Sequence, residues 1–163
     1  SMSRLSPVFC TNRMVAEYLE RFYLPAHRRH QRLSADGAAR VGPLVNWRRR
    51  ILEFGRQVRV TNVDTNVAQE TEVGSEVKVT ARVQLASLTP DEIRVQIFHD
   101  PVDSIPDGVA VDMEHQGVLS GEHVYTGRYP CVDSGSSGFS IRVTPYHEDA
   151  ITPYEMPWVQ WAE

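Results

Sequence analysis

The chain has 163 residues, 41% hydrophobic and 23% charged, with a formal net charge of −4. That length supports one ordinary core of roughly 100 to 150 residues with an appendage and excludes two large domains. No apolar run reaches the roughly 18 residues a bilayer span needs, and the N-terminus lacks the charged-then-apolar pattern of a secretory signal, so neither membrane insertion nor secretion is expected.

The net charge hides a division. Residues 1–59 carry 12 Arg against 4 acidic residues, whereas residues 60–163 carry 4 Arg and one Lys against 17 acidic residues. The arginines of the first part stand beside apolar positions, as on the solvated face of a helix, so no nucleic-acid partner is expected. Cys10 and Cys131 are the only cysteines. They lie far apart in segments of different character, which argues against a disulfide framework and for a reducing cytoplasm. Ser1-Met2 reads as an expression scar and is set aside.

In chain order, "TNRMVAEYLERFYLPAHRRHQR" (Thr11 to Arg32) comes first. Met14, Val15, Tyr18, Leu19, Phe22, Tyr23 and Ala26 recur at three- and four-residue spacing, the mark of a helix with a broad apolar stripe. Pro25 lacks an N–H and crowds the preceding turn, so it is expected to kink or interrupt that helix near Leu24. A second helix is expected from Ser34 or Asp36, past Gly42-Pro43 and through "LVNWRRRILEF", with Leu44, Trp47, Ile51 and Phe54 on one side. Two helices bury only a thin seam between them. The stripe of Met14, Tyr18, Leu19 and Phe22 is therefore a candidate interface in search of a partner surface.

From Gln57 the hydrophobic period changes to two. "EVKVTARVQL" places Val77, Val79, Ala81, Val83 and Leu85 on one face and Lys78, Thr80, Arg82 and Gln84 on the other. Similar runs are "QVRVTNV", "IRVQIF", "VAVDMEHQGV", "HVYTGRYPC", "GFSIRVTP" and "WVQWA", making about seven strands separated by turn-rich stretches. The expected fold class is α+β: a helical segment over residues 3–56, then an immunoglobulin-like antiparallel sandwich over residues 57–163.

Candidate chemistry is sparse. "DSGSSG" (Asp133 to Gly138) has no following Lys-Ser/Thr and precedes a strand, so it reads as a hairpin turn and not a phosphate-cradling loop. Lys78 is the only lysine, and alternation puts it on the polar face of a strand, away from any pocket that desolvates an amine for Schiff-base chemistry. His27 and His30 are three apart, but a structural zinc site wants four ligands, and no metal site is expected. His147, Glu148 and Asp149 form a polar cluster without a visible nucleophile and read as a solvent-exposed loop. No catalytic residue is expected here. Tyr154, Trp158 and Trp161 are the candidate carbohydrate contacts, since an aromatic platform stacks sugar rings. Trp158 and Trp161 differ by three, however, and face opposite sides of a regular strand.

"SPVFCTNRMVAEYLERFYLPA", "LSADG", "VNWRRRI", "IRVQIFHDPVD", "YTGRYPCVDSGSSGFSIRVTPYHED" and "PYEMPWVQWAE" together resemble the C-terminal end of the α-glucan (glycogen/maltodextrin) phosphorylases. The likeness is to the divergent bacterial and archaeal branch and runs from Leu5 to Ala162. Cys10 stands where the family typically has Asn, and Pro157-Trp158 where it has Gly-Leu or Gly-Ile. The resemblance implies a parent glycosyltransferase that cleaves the terminal α-1,4 bond of a glucan with phosphate, giving glucose 1-phosphate. It also implies pyridoxal phosphate held by a lysine upstream of this segment, together with the phosphate- and sugar-binding residues. On that reading the Thr11 helix closes an upstream catalytic body, or pairs two copies of the chain. The sandwich is then a structural and interaction domain; a glucan-binding module and a stand-alone adaptor are the alternatives.

Overall fold

The computed structural model describes residues 11–66, 75–99, 109–130, 139–152 and 155–162. The chain forms two compact units: one runs through Asn46 and takes in Glu148–Thr152, and the other comprises Trp47–His147 and Pro153–Glu163. The sequence division expected at residue 57 lies beyond this junction, which falls inside a helix.

In the first unit, α1 (Thr11–Tyr18), a π-helical turn (Leu19–Tyr23) and α2 (Leu24–Ser34) follow one another without a break. Leu24 N–H bonds to the carbonyl of Leu19, five residues back. The widened turn sits immediately before Pro25, where the missing N–H and the bulk of the ring oppose regular α geometry. Proline thus acts here as a π-bulge and not as an interruption.

The second helix begins later than the sequence suggests. Asp36, Gly37 and Ala38 adopt left-handed φ values of 52°, 66° and 64°, so the chain turns within the segment Ala35–Ala38, and α3 spans Val41–Phe54. Pro43 falls in its first turn, where backbone N–H groups have no intrahelical acceptor and proline is tolerated.

In the second unit, Trp47 and Ile51 of α3 are buried. Trp47 Nε1 donates to the Glu92 carbonyl at 3.1 Å. The Arg50 guanidinium donates to both Glu92 carboxylate oxygens at 2.5 and 3.0 Å and to the Ser87 carbonyl. Glu92 also accepts from the Thr89 amide at 2.8 Å, closing a capping box around the 3-10 turn Pro90–Glu92. Burial alone pushes the Glu92 carboxyl up, but the hydrogen bonds from Arg50 and Thr89 and the Arg50 charge outweigh it, holding the group below the usual carboxylate range. A lowered folded-state pKa gives stability that is present above the unfolded value of about 4.3 and lost as pH falls through the folded value. Glu92→Gln is therefore expected to be less stable than the parent at pH 7 and to converge on it as pH falls from the unfolded value through the lower folded one, read from paired thermal melts from pH 7 downward.

The strands are β1 (Arg59–Thr65), β2 (Glu76–Gln84), β3 (Ile93–His99), β4 (Val109–Asp112), β5 (Glu114–Leu119), β6 (Glu122–Pro130), β7 (Phe139–Pro145) and β8 (Gln160–Trp161). They form two four-stranded sheets, β1-β2-β6-β5 and β4-β3-β7-β8, and every pair is antiparallel. The α+β class and the sequence of helices then strands agree with expectation. Among the described residues there is one strand more than the roughly seven expected, because "VAVDMEHQGV" divides at Met113. That residue is buried and bonds to the Val95 carbonyl at 2.8 Å, and the chain leaves one sheet through β4 and joins the other through β5.

The core lies between the inner faces. Val77, Val79, Ala81 and Val83 of β2, Tyr125 and Tyr129 of β6, Val95 and Ile97 of β3, and Ile141 and Val143 of β7 are all buried, at the alternate positions of each strand. Gly127 of β6 stands among the inward positions of its sheet, between Tyr125 and Tyr129. A Cβ there would lie 2.9 Å from Ile97 Cδ1 and 2.9 Å from Met113 Cγ, so a larger residue would force those two side chains to shift.

Candidate functional site

The solvent face of the β4-β3-β7-β8 sheet carries a row of polar and aromatic side chains. Gln96 lies opposite Asp112 on β4 and opposite Arg142 on β7, and Arg142 lies opposite Trp161 on β8. Residues directly opposite one another share a face. The four side chains therefore form one row across the sheet: carboxylate, amide, guanidinium, indole.

Contacts hold the row in place. Arg142 Nε donates to Gln96 Oε1 at 2.8 Å, and Gln96 Nε2 donates to Asp112 Oδ1 at 2.5 Å. The Arg142 guanidinium lies over the Phe98 ring, 4.8 Å from its centroid, and the Trp161 ring meets Phe98 edge-on at 5.5 Å. Arg94 pairs with Asp112 at 3.1 Å and covers the Tyr146 ring at 4.0 Å. Beside Asp112, where β4 gives way to β5, a cleft of about 530 Å³ is lined by Lys78, Asp112, Glu114, Gln116, Thr126 and Arg128.

Of the aromatics singled out in the sequence, Trp161 is 42% exposed and belongs to this row. Trp158 lies outside the strands, half-buried, with its ring on Gly55: a Cβ at Gly55 would come within 3.1 Å of Trp158 Cδ2. Tyr154 falls outside the described residues. Gln96, Phe98, Asp112 and Arg142 were missed by sequence reasoning. An available signal was Phe98, a large aromatic at an outward position of a strand whose inward positions are already filled by Val95 and Ile97.

The helical stripe is exposed along its length: Met14 44%, Tyr18 51%, Leu19 47%, Phe22 60% and Tyr23 67%. Tyr18 and Phe22 contact each other at a ring separation of 5.7 Å, and the rest of the stripe faces outward.

The polar cluster at residues 147–149 differs from the exposed loop expected for it. Asp149 is 1% exposed. It accepts from Arg32 Nε at 2.6 Å and from Arg40 Nη1 at 3.3 Å, while its carbonyl accepts from Arg29 Nε at 2.8 Å. Arg40 also reaches Glu148 Oε1 at 2.8 Å, and these acidic partners raise its pKa further above the ordinary guanidinium value, the Asp149 hydrogen bond most strongly. The geometry is that of a structural clamp, in which Arg32 and Arg40 hold the buried carboxylate and Arg29 holds the backbone carbonyl beside it. His147 packs against Trp47 at 5.3 Å.

His115 Nε2 and His123 Nδ1 lie 3.0 Å apart. Burial, then the neighbouring His115 charge, lowers the His123 pKa from its ordinary value. Among the described residues no three His, Cys, Asp or Glu side chains converge as metal ligands, and no helix is long and apolar enough to cross a membrane. Lys78 is exposed on β2 and offers no desolvated amine. The described residues therefore do not fit a Schiff-base cofactor.

Residues 56–163 match the family model described as the glycogen phosphorylase C-terminal domain. The chain is 31% identical to a glycogen phosphorylase of Mycobacterium bovis over 152 residues, covering 90% of this chain and 18% of the relative. A glycogen phosphorylase of Mycobacterium tuberculosis is 30% identical with the same coverage, and a maltodextrin phosphorylase of Thermococcus litoralis is 24% identical over 99% of this chain and 19% of its own length. The chain thus spans under a fifth of the relatives it matches. No solved structure matches it significantly. With nearly all of the β-sheet unit inside the matched span, the chain belongs to the glycogen phosphorylase C-terminal domain family.

Proposed function

We propose that this chain is the C-terminal, non-catalytic part of an α-glucan phosphorylase that works in the cytoplasm, releasing glucose 1-phosphate from α-1,4-glucan with phosphate. The observation that carries the reading is the match of residues 56–163 to the C-terminal family, at the end of relatives named for phosphorolysis of glycogen and maltodextrin. The strand orders β1-β2-β6-β5 and β4-β3-β7-β8 support an immunoglobulin-like sandwich beginning near residue 57, since they parallel a constant-type A-B-E-D sheet facing a C-F-G sheet with one added edge strand. Among the described residues its inner faces are filled by apolar side chains, which suits a bracing and interaction domain.

The upstream catalytic domain is the partner proposed for the helical stripe. A row of half-exposed Met, Leu, Tyr and Phe side chains is unfavourable in water, and a partner surface within the same polypeptide covers it at the lowest entropic cost. Pyridoxal phosphate belongs to that upstream body on this reading, because the sole lysine here is exposed on a strand. In the absence of the catalytic region, stripe-to-stripe pairing of two copies is the second reading, favoured by the continuous exposure of the same side chains.

The test is reconstitution. A polypeptide in which this chain follows its catalytic region should release glucose 1-phosphate from maltoheptaose and phosphate, and lose that activity or its solubility when the segment is deleted. The 163-residue chain alone should release none and develop no Schiff-base absorbance with the cofactor. Release by the chain alone, or absorbance abolished by Lys78→Ala, would overturn the proposal.

A further inference from the structure

We infer that the row Asp112–Gln96–Arg142–Trp161 on the solvent face of the β4-β3-β7-β8 sheet is a binding site for an α-1,4-glucan chain. The row crosses four adjacent strands in register, so at the usual strand spacing it runs about 14 Å, the reach of a few linked sugar rings. Its chemistry fits a polyol. Carboxylate, amide and guanidinium are planar groups able to address paired hydroxyls, and they alternate acceptor and donor along the row. An indole 42% exposed at one end offers an apolar face to the C–H side of a pyranose ring.

The site is held ready for its ligand. Trp161 meets Phe98 edge-on, Phe98 lies under Arg142, and Arg142 and Gln96 are fixed by hydrogen bonds along the row, so little side-chain freedom is lost on binding. Charge selects the class of occupant. Arg94 is paired with Asp112 and Arg142 is held by Gln96 and the aromatic rings, so no cluster of free cations is offered to a phosphate. Residues 60–163 also carry 17 acidic residues against 5 basic ones, which repels a polyanion. A neutral, hydroxyl-rich, ring-built ligand remains. Asp112 also borders the 530 Å³ cleft, whose lining residues Lys78, Thr126 and Arg128 stand on the outward face of the β1-β2-β6-β5 sheet, so the inferred site is the row itself and not that cleft. The choice of an α-linked glucan rests on the phosphorylase reading above, under which such a site holds the enzyme on its polymer.

The experiment uses the 163-residue chain with maltoheptaose followed by amide and indole NMR shifts, and with glycogen in native affinity gels. Saturable shifts are expected at Gln96, Asp112, Arg142 and the Trp161 indole, together with retarded migration in glycogen. Trp161→Ala should weaken maltoheptaose binding by about threefold to tenfold, an indole–sugar stack being comparable to an aromatic pair. Asp112→Ala, at an exposed position, should weaken it severalfold with an unchanged melting temperature, which covers the case in which Trp161→Ala fails to fold. Absence of shifts at millimolar maltoheptaose, shifts centred on Trp158, equal binding by both variants, or equal shifts with cellohexaose would each overturn the inference. A chain that binds no glucan yet supports phosphorolysis once joined to its catalytic region leaves the phosphorylase reading intact and rejects this site alone.

Discussion

Trp47→Ala is expected to destabilise the β-sheet unit by about 3–5 kcal/mol, the usual range for removing a buried tryptophan. Trp47 is 3% exposed, its Nε1 donates to the Glu92 carbonyl, and its ring meets His147. The substitution therefore opens a large cavity and leaves a buried acceptor with one partner fewer. It also loosens the anchorage of α3 beside the Arg50–Glu92 pair, the contacts through which residues 47–54 join the strands. For a chain of this length the expected fall in melting temperature is about 6–20 °C. Far-UV circular dichroism in urea measures it, with exposed Leu52→Ala, which should change stability by no more than about 0.5 kcal/mol, as the control. A loss under about 1 kcal/mol for Trp47→Ala would contradict the packing described.

The legible parts of the fold were those with a clean period. "EVKVTARVQL" alternates over its whole length, and β2 buries Val77, Val79, Ala81 and Val83 as the alternation requires. Leu44, Trp47 and Ile51 on α3 likewise follow from helical spacing. What was not legible depended on long-range contacts or on single backbone torsions. The left-handed run at residues 36–38 delayed α3, because Ala38 adopts a conformation its side chain does not announce. The handover at Met113 divided one apparent strand into two, since periodicity carries no information on which sheet a strand joins. Asp149 appeared to be an exposed acid because the arginines that bury it lie more than 100 residues away in sequence. The row on the outer sheet face was hidden for the same reason: Gln96, Asp112, Arg142 and Trp161 become neighbours only through strand pairing.

Replacing Leu19 and Phe22 with Glu is expected to change the behaviour of the helical unit more than any other pair of surface substitutions. Those residues are 47% and 60% exposed, and on the usual scale of about 25 cal/mol per Å² a stripe of this kind gains several kcal/mol when covered. If isolated copies pair through it, light scattering should show the parent chain at twice the mass of the double variant. In the polypeptide carrying the catalytic region, the same substitutions should lower stability and activity together, because two carboxylates would be forced into an apolar contact. A double variant that matches the parent in mass, melting temperature and joined-enzyme activity would mean that the stripe has no apolar partner.

The most direct measurement is hydroxyl-radical footprinting of Met14, Tyr18, Leu19 and Phe22 in two settings: the 163-residue chain at a dilution where it is monomeric, and the longer polypeptide that includes the catalytic region. Rapid labelling of the isolated chain and roughly tenfold or greater protection in the longer polypeptide is the expected result, in keeping with removal of these side chains from water. Equal labelling in the two settings would contradict the assignment of the helix as the contact between this C-terminal piece and a phosphorylase body.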